Sequence, residues 1–139
     1  MGKTIPFARR GPSRAPTDEA AVNAALAEVA RRAAAADAGS EDLGPSLEAL
    51  RQAGVFDILA AYADPVPGDK VVGEIVALLR RIGRANLSVG RLVEGHLNAH
   101  RLVALYATPA QRASVEEAVA DGALLGVWGA DGDPPFSIA

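Results

Sequence analysis

Two histidines give this chain its clearest potential for chemistry. His96 and His100 are the only histidines, and a spacing of four residues puts both imidazoles on one face of a helix. Two imidazoles so placed can bind a transition metal, but a zinc hydrolase motif needs glutamate directly after the first histidine and a third ligand. Leu97 follows His96 instead. We therefore expect hydrogen-bonded or surface histidines and no metal site.

Other patterns that can bind ions or phosphates are incomplete. Gly90 and Gly95 have the spacing that opens a phosphate-binding loop, but no Gly-Lys-Ser/Thr follows them. Residues 131–134 begin like a calcium loop but lack its later glycine and terminal glutamate, which favours a turn. The chain has no cysteine, so thiolate catalysis, disulfides and sulfur-ligated metals are excluded.

Composition predicts a single all-α domain. The chain has 139 residues, half of them apolar but only 4% aromatic, so Ala, Leu, Val and Ile must form the core. No apolar run is long enough to cross a bilayer, and residues 1–16 are basic and proline-containing without a signal-peptide pattern. We expect a flexible leader and a cytoplasmic location.

Charge is distributed unevenly along the chain. The net charge is −3, which gives no general attraction for nucleic acid. Between Lys70 and Arg112 there are seven Lys/Arg and two acids, whereas five acids and no Lys or Arg follow from Ala113. The basic centre is interpreted as a solvated helix face, with a site for coenzyme phosphates or an acidic partner as the alternative.

Capping residues and apolar spacing predict the helices. We expect Thr17, Ser46 and Asp69 to cap the first three. The third should bury the stripe Val72, Ile75, Val76, Leu79 and Ile82.

The second half of the chain carries further local signals. A fourth helix over residues 87–106 should turn Val89, Leu92, Val93, Leu97 and Val103 inward, with Gly90 and Gly95 allowing close backbone approach. Thr108 and Gln111 form a capping box for a last helix that ends near Ala120. Residues 123–128 have the composition of a β-strand without a partner strand.

Four segments resemble the N-terminal helical domain of the acyl-CoA dehydrogenase family. They are Leu50-Arg51-Gln52-Ala53-Gly54-Val55-Phe56, Arg81-Ile82-Gly83-Arg84-Ala85-Asn86-Leu87-Ser88-Val89-Gly90-Arg91-Leu92-Val93-Glu94-Gly95-His96, Ala107-Thr108-Pro109-Ala110-Gln111-Arg112 and Gly126-Val127-Trp128-Gly129-Ala130-Asp131. Their order and spacing match over roughly residues 20–133. The resemblance implies a helical bundle over residues 17–122, with residues 123–139 as a short β segment that starts a middle β domain.

The same resemblance implies a function. Members of the family hold FAD and acyl-CoA where three domains meet and oxidise the thioester at its α,β carbons. It implies that Leu92, Glu94, Gly95 and His96 line the acyl pocket, and that Trp128, Gly129 and Ala130 approach the flavin, with FMN as the alternative cofactor. It also implies a homo-oligomer, usually a dimer or tetramer.

The match departs from the family in two respects. Ala130-Asp131-Gly132 stands where Thr-Glu-Pro is expected, and the catalytic carboxylate of the family matches no residue here. We therefore expect no catalytic residue in this chain and an inactive fragment when it is isolated. Two alternatives stay open: a flavin-dependent monooxygenase of the same fold, and a non-catalytic helical interaction module.

Overall fold

Six helices form the part of the chain that the structure describes. The computed structural model describes residues 18–60 and 68–127. The helices are α1 (Glu19–Asp37), α2 (Gly44–Gln52), α3 (Val55–Ala60), α4 (Asp69–Ala85), α5 (Leu87–Tyr106) and α6 (Pro109–Ala120). No strand occurs among these described residues. The all-α class predicted from composition is confirmed.

The capping box of α6 and the bounds of α5 agree with their local signals. Thr108 Oγ1 accepts from the Gln111 amide, and the Gln111 side chain accepts from the Thr108 amide at 2.8 Å. Asn86 alone joins α4 to α5, and its Oδ1 accepts from the Val89 amide at 3.0 Å. Each of these side chains satisfies an amide that the first turn of a helix leaves without a partner.

Three predicted caps are wrong. Asp18, not Thr17, caps α1 by accepting from the amides of Ala20 and Ala21. Leu43 precedes α2, which places Ser46 inside the helix and buries it. Gly68 precedes α4, so Asp69 is its first residue and contributes negative charge to the first turn. In each case a residue one to three positions away from the predicted one occupies the N-cap position.

The core lies where α4 and α5 pack on α1, α2 and α3. Its fully buried members include Val29, Leu50, Val55, Ile82 and Val93. The backbones of α4 and α5 approach closely, since a Cβ atom built on Gly90 would lie 2.9 Å from the Gly83 Cα. The prediction of close backbone approach is confirmed for Gly90 but is wrong for Gly95, because no described atom outside its own helix backbone lies within 4 Å of a Cβ built there.

The orientation of α4 differs in part from the predicted stripe. Ile75 and Ile82 are buried as expected and Leu79 packs against the core, but Val72 and Val76 are 41% and 43% exposed. Leu78, which was left out of the predicted stripe, is buried in their place.

The segment that follows α6 is not a strand. Gly122 ends α6 with a φ of +97°. Residues 123–127 have no regular structure, and the Leu125 amide is bonded to a histidine ring instead of a neighbouring strand. Apolar β-forming residues make a strand only where another strand offers backbone partners, and the described residues offer none. Trp128, the last residue of the predicted strand, lies outside the described residues.

Candidate histidine groove

A groove beside α5 brings together five titratable side chains from four helices. It has a volume of about 380 Å³ and is partly open to solvent. We call it the histidine groove. Its lining residues come from α2, α3, α5, α6 and the segment after α6, and they are Arg51, Phe56, Asp57, Ala60, His96, His100, Glu116, Val119, Ala120 and Ala123. A volume of this size suits a small molecule.

His96 forms the buried floor of the groove and has a defined tautomer. Its side chain is only 2% exposed, and its ring meets Phe56 edge to face at a centroid distance of 5.2 Å. The Leu125 amide donates to Nδ1 at 2.9 Å. Because Nδ1 accepts this bond, it carries no hydrogen, and the neutral ring has its hydrogen on Nε2.

His100 lies one turn further along α5 and contacts His96. The two ring centroids are 4.7 Å apart, with the planes inclined at 76°. The Nε2 atom of His100 is buried and has no hydrogen-bond partner among the described residues. A buried polar atom of this kind is costly, so it identifies a position where a ligand atom would be accommodated favourably.

Both histidines resist protonation in this environment. Burial is the main cause that lowers the pKa of His96 to about 4, and the charges of His100 and Arg51 act in the same direction. Burial also lowers the pKa of His100, while the Glu116 carboxylate opposes that shift. Removing a charged imidazolium from water disfavours the protonated form. Both rings are therefore neutral near pH 7.

Arg51 closes one side of the groove and connects distant parts of the chain. Its Nη2 donates to the Gly122 carbonyl at 2.8 Å, and its guanidinium lies 5.2 Å from the centroid of the Phe56 ring. Its Nε is 3.4 Å from a Glu48 carboxylate oxygen. These contacts hold the end of α6 against α2 and α3, and they occupy the guanidinium charge of Arg51.

The groove does not have the composition of a metal centre. Within residues 18–60 and 68–127, no three His, Cys, Asp or Glu side chains are arranged to hold a metal ion. One nitrogen of His96 is already occupied by the Leu125 amide. The arrangement can instead exchange hydrogen bonds with a small ligand and can respond to protons.

The four predicted pocket residues do not line one surface. His96 faces the histidine groove, whereas Leu92 is 38% exposed. Glu94 is half-buried and is bound to its own helix by an ion pair with Arg91 and by the Asn98 amide group, which donates at 2.7 Å. Consecutive helical residues point about 100° apart, so positions 94, 95 and 96 cannot share a face.

Leu92 and Gly95 belong to a second surface, on the outer side of α5. With Leu102 and Tyr106 they follow at offsets of three, seven and four, which places all of them on one face of the helix. Leu92, Leu102 and Tyr106 are exposed, although Ala99 on the same face is buried, and a Cβ built on Gly95 would meet no described atom within 4 Å outside its own helix backbone. We call these four residues the outer face of α5.

The predicted flavin contacts Trp128, Gly129 and Ala130 lie outside the described residues. Arg51, Phe56 and Glu116 were not among the predicted site residues, although they surround the histidines. The one sequence feature that sets Phe56 apart is that the chain has only three phenylalanines. The contacts themselves join residues far apart in sequence, and no local pattern predicts such pairs.

No described helix has the combination of length and apolarity needed to span a membrane. Comparisons with protein-family models, with curated proteins and with solved structures found no match to this chain.

Proposed function

We propose that this chain is the N-terminal helical domain of an acyl-CoA dehydrogenase-type flavoprotein. The complete protein would use FAD to oxidise an acyl-CoA thioester at its α,β carbons. The proposal begins from the ordered resemblance of residues 20–133, and the all-α architecture agrees with it. In such a protein, the catalytic carboxylate and the residues that bind the flavin would lie in other domains.

The observation that carries the proposal is the outer face of α5. A helix that buries one side and exposes apolar residues on the other is typical of a helix enclosed on both sides. α5 buries Val89, Val93 and Leu97 on its inner side and exposes Leu92, Leu102 and Tyr106 on the outer side. Covering the outer face with further protein or with an acyl chain would remove these side chains from water.

Gly95 is the position on the outer face of α5 where an acyl chain would come closest to the helix. A Cβ built on Gly95 would meet no described atom within 4 Å outside its own helix backbone, so in this proposal a methylene chain contacts the backbone of α5 at this position. In this proposal Leu92 and Gly95 form the wall of the acyl pocket. Glu94 and His96 support that wall from within the domain, because each is held by other contacts.

FAD, when bound, would accept the hydride removed from the thioester. Among the described residues, the outer face is apolar, so its contribution is to exclude water and orient the acyl chain. Contacts with flavin carbonyls and ring nitrogens are assigned in this proposal to Trp128, Gly129 and Ala130.

The test is to produce the complete gene product and titrate it anaerobically with acyl-CoA thioesters. We expect flavin to copurify and its absorbance to bleach on addition of substrate. Gly95→Phe should lower kcat/KM for long acyl chains about tenfold or more relative to short ones, because the aromatic ring fills the space beside Leu92. Gly73→Phe is the matched control, since Gly73 also borders open space but lies on α4.

Two outcomes would contradict the proposal. A flavin-loaded protein that no acyl-CoA reduces would exclude the dehydrogenase activity, and oxygen consumption by its reduced flavin without acyl-CoA would favour the monooxygenase alternative. If Gly73→Phe and Gly95→Phe lower kcat/KM for long acyl chains equally, Gly95 does not line the acyl pocket.

A non-catalytic interaction module is the second candidate, and the exposed outer face of α5 favours it as well. It predicts that the isolated chain self-associates or binds a protein partner without flavin. Sedimentation of the isolated chain tests this directly: Leu102→Glu should abolish the association because it places a charge in the apolar face. A monomer at all concentrations would count against this candidate.

A further inference from the structure

The chain that leaves α6 is fastened to the helical domain at a few defined points. The Ala123 amide donates to the Ala118 carbonyl at 2.9 Å, and Arg51 donates to the Gly122 carbonyl. The Leu125 amide then donates to His96 Nδ1 at 2.9 Å, and Leu124 packs against the core. We call residues 123–127 the C-terminal segment. Beyond Ala123, the His96 bond is the one polar contact described for its backbone.

This contact depends on the protonation state of one nitrogen. A neutral imidazole has one donor nitrogen and one acceptor nitrogen, but an imidazolium has two donors. If His96 took up a proton on Nδ1, its new N–H would face the Leu125 N–H. Two donors cannot share a hydrogen bond, and both groups would be left without a partner in a partly buried position.

We infer that His96 is a proton-operated latch for the C-terminal segment. Neutral His96 holds the segment against α5 through Nδ1, and a proton on Nδ1 releases it.

The groups around His96 determine the direction of the response. His100 on the same helix, Arg51 from α2, Asp57 from α3 and Glu116 from α6 line the same groove. Burial, His100 and Arg51 keep the pKa of His96 low while the segment is in place. Once water reaches the ring, its pKa returns toward 6.5, the ordinary value for histidine. The released state therefore retains the proton, which couples release to the uptake of one proton as the pH falls from 6.5 through about 4.

The latch would operate in this chain independently of the proposed flavoprotein function. It needs only the described contacts among α2, α5, α6 and the C-terminal segment. A failure of the acyl-CoA experiment would leave it unaffected, and a failure of the latch would leave the outer face of α5 unaffected.

Nuclear magnetic resonance of the ¹⁵N-labelled chain tests the inference without any mutation. At pH 7 we expect His96 to have its hydrogen on Nε2, and a scalar coupling to connect the Leu125 amide nitrogen with Nδ1. As the pH falls, the coupling and the exchange protection of the Leu125 amide should disappear together. A hydrogen on Nδ1 at pH 7, or protection of Leu125 that persists after His96 is protonated, would overturn the latch.

Two variants isolate the role of Nδ1. His96→Asn places an amide oxygen close to the position of Nδ1 and does not titrate, so Leu125 should stay protected throughout the pH series. His96→Phe keeps a ring against Phe56 but removes the acceptor, so exchange of the Leu125 amide should be about tenfold faster than in the wild type at pH 7 and equal to it once His96 is protonated. His100→Phe is the matched control and should retain the transition. Unchanged exchange in His96→Phe would refute the inference.

Discussion

The contact between Gly83 and Gly90 provides the sharpest test of the packing. Replacing Gly90 with Ala would place a Cβ atom 2.9 Å from the Gly83 Cα and 3.2 Å from the Gly83 backbone nitrogen. Carbon atoms prefer separations of about 3.5–4.0 Å. Both neighbours are backbone atoms, so no side chain can rotate to relieve the overlap. Helices α4 and α5 must separate, and they carry the fully buried Ile82 and Val93 with them.

Gly95→Ala is the matched control on the same helix. Each substitution gains about 1 kcal/mol of helix propensity, so this gain cancels when the two variants are compared. At Gly95 the new methyl group meets no described atom within 4 Å outside its own helix backbone, whereas at Gly90 overpacking costs about 1–3 kcal/mol. We therefore expect Gly90→Ala to be less stable than Gly95→Ala by about 1–3 kcal/mol.

Urea unfolding followed by far-ultraviolet circular dichroism measures this difference. For a domain of this size the two midpoints should differ by on the order of 1 M urea, with equal slopes. Gly83→Ala provides a second control. The Gly83 Cα faces Gly90, but a Cβ atom built on Gly83 would meet no described atom within 4 Å. If Gly90→Ala unfolds at the same or a higher urea concentration than Gly95→Ala, the close approach of α4 and α5 is incorrect.

Four further predictions concern the pH response, caps and connections. The pKa of His96 is lowered to about 4, so its contribution to stability is complete above pH 6.5 and is lost as the pH falls through about 4. Acid titration of the wild type against His96→Asn should reveal a loss on the order of 1–3 kcal/mol that the variant lacks. Asn86→Ala should lower the free energy of unfolding by about 1 kcal/mol because it removes the cap of α5, while Asn86→Ser should recover most of this loss in urea titrations. Thr108→Ala should speed amide exchange at the start of α6 by about fivefold, with little effect on global unfolding, because α6 contributes no buried residue. Arg51→Met should likewise increase exchange around Gly122, and exchange no faster than wild type would contradict the role of its bond to that carbonyl.

Local signals in the sequence determined much of the fold. The bounds of α5 and α6, the capping box at Thr108 and the helix-ending glycines Gly54 and Gly122 all follow from residues within a few positions of one another. These features are predictable because a cap or a turn is satisfied by the chain beside it. The shared helix face of His96 and His100 was predictable for the same reason, since it depends only on helical periodicity.

Tertiary structure alone decided which sides of the helices are buried and what surrounds the histidines. Val72 and Val76 have apolar side chains at helical spacing, yet they are exposed because the packing of α4 places Leu78 inward. Arg51, Phe56 and Glu116 reach His96 and His100 from other helices, and Leu125 reaches His96 across 29 positions. A sequence pattern specifies that a residue is apolar or can donate a hydrogen bond. The partner is determined only when distant helices pack, because that contact depends on the whole core.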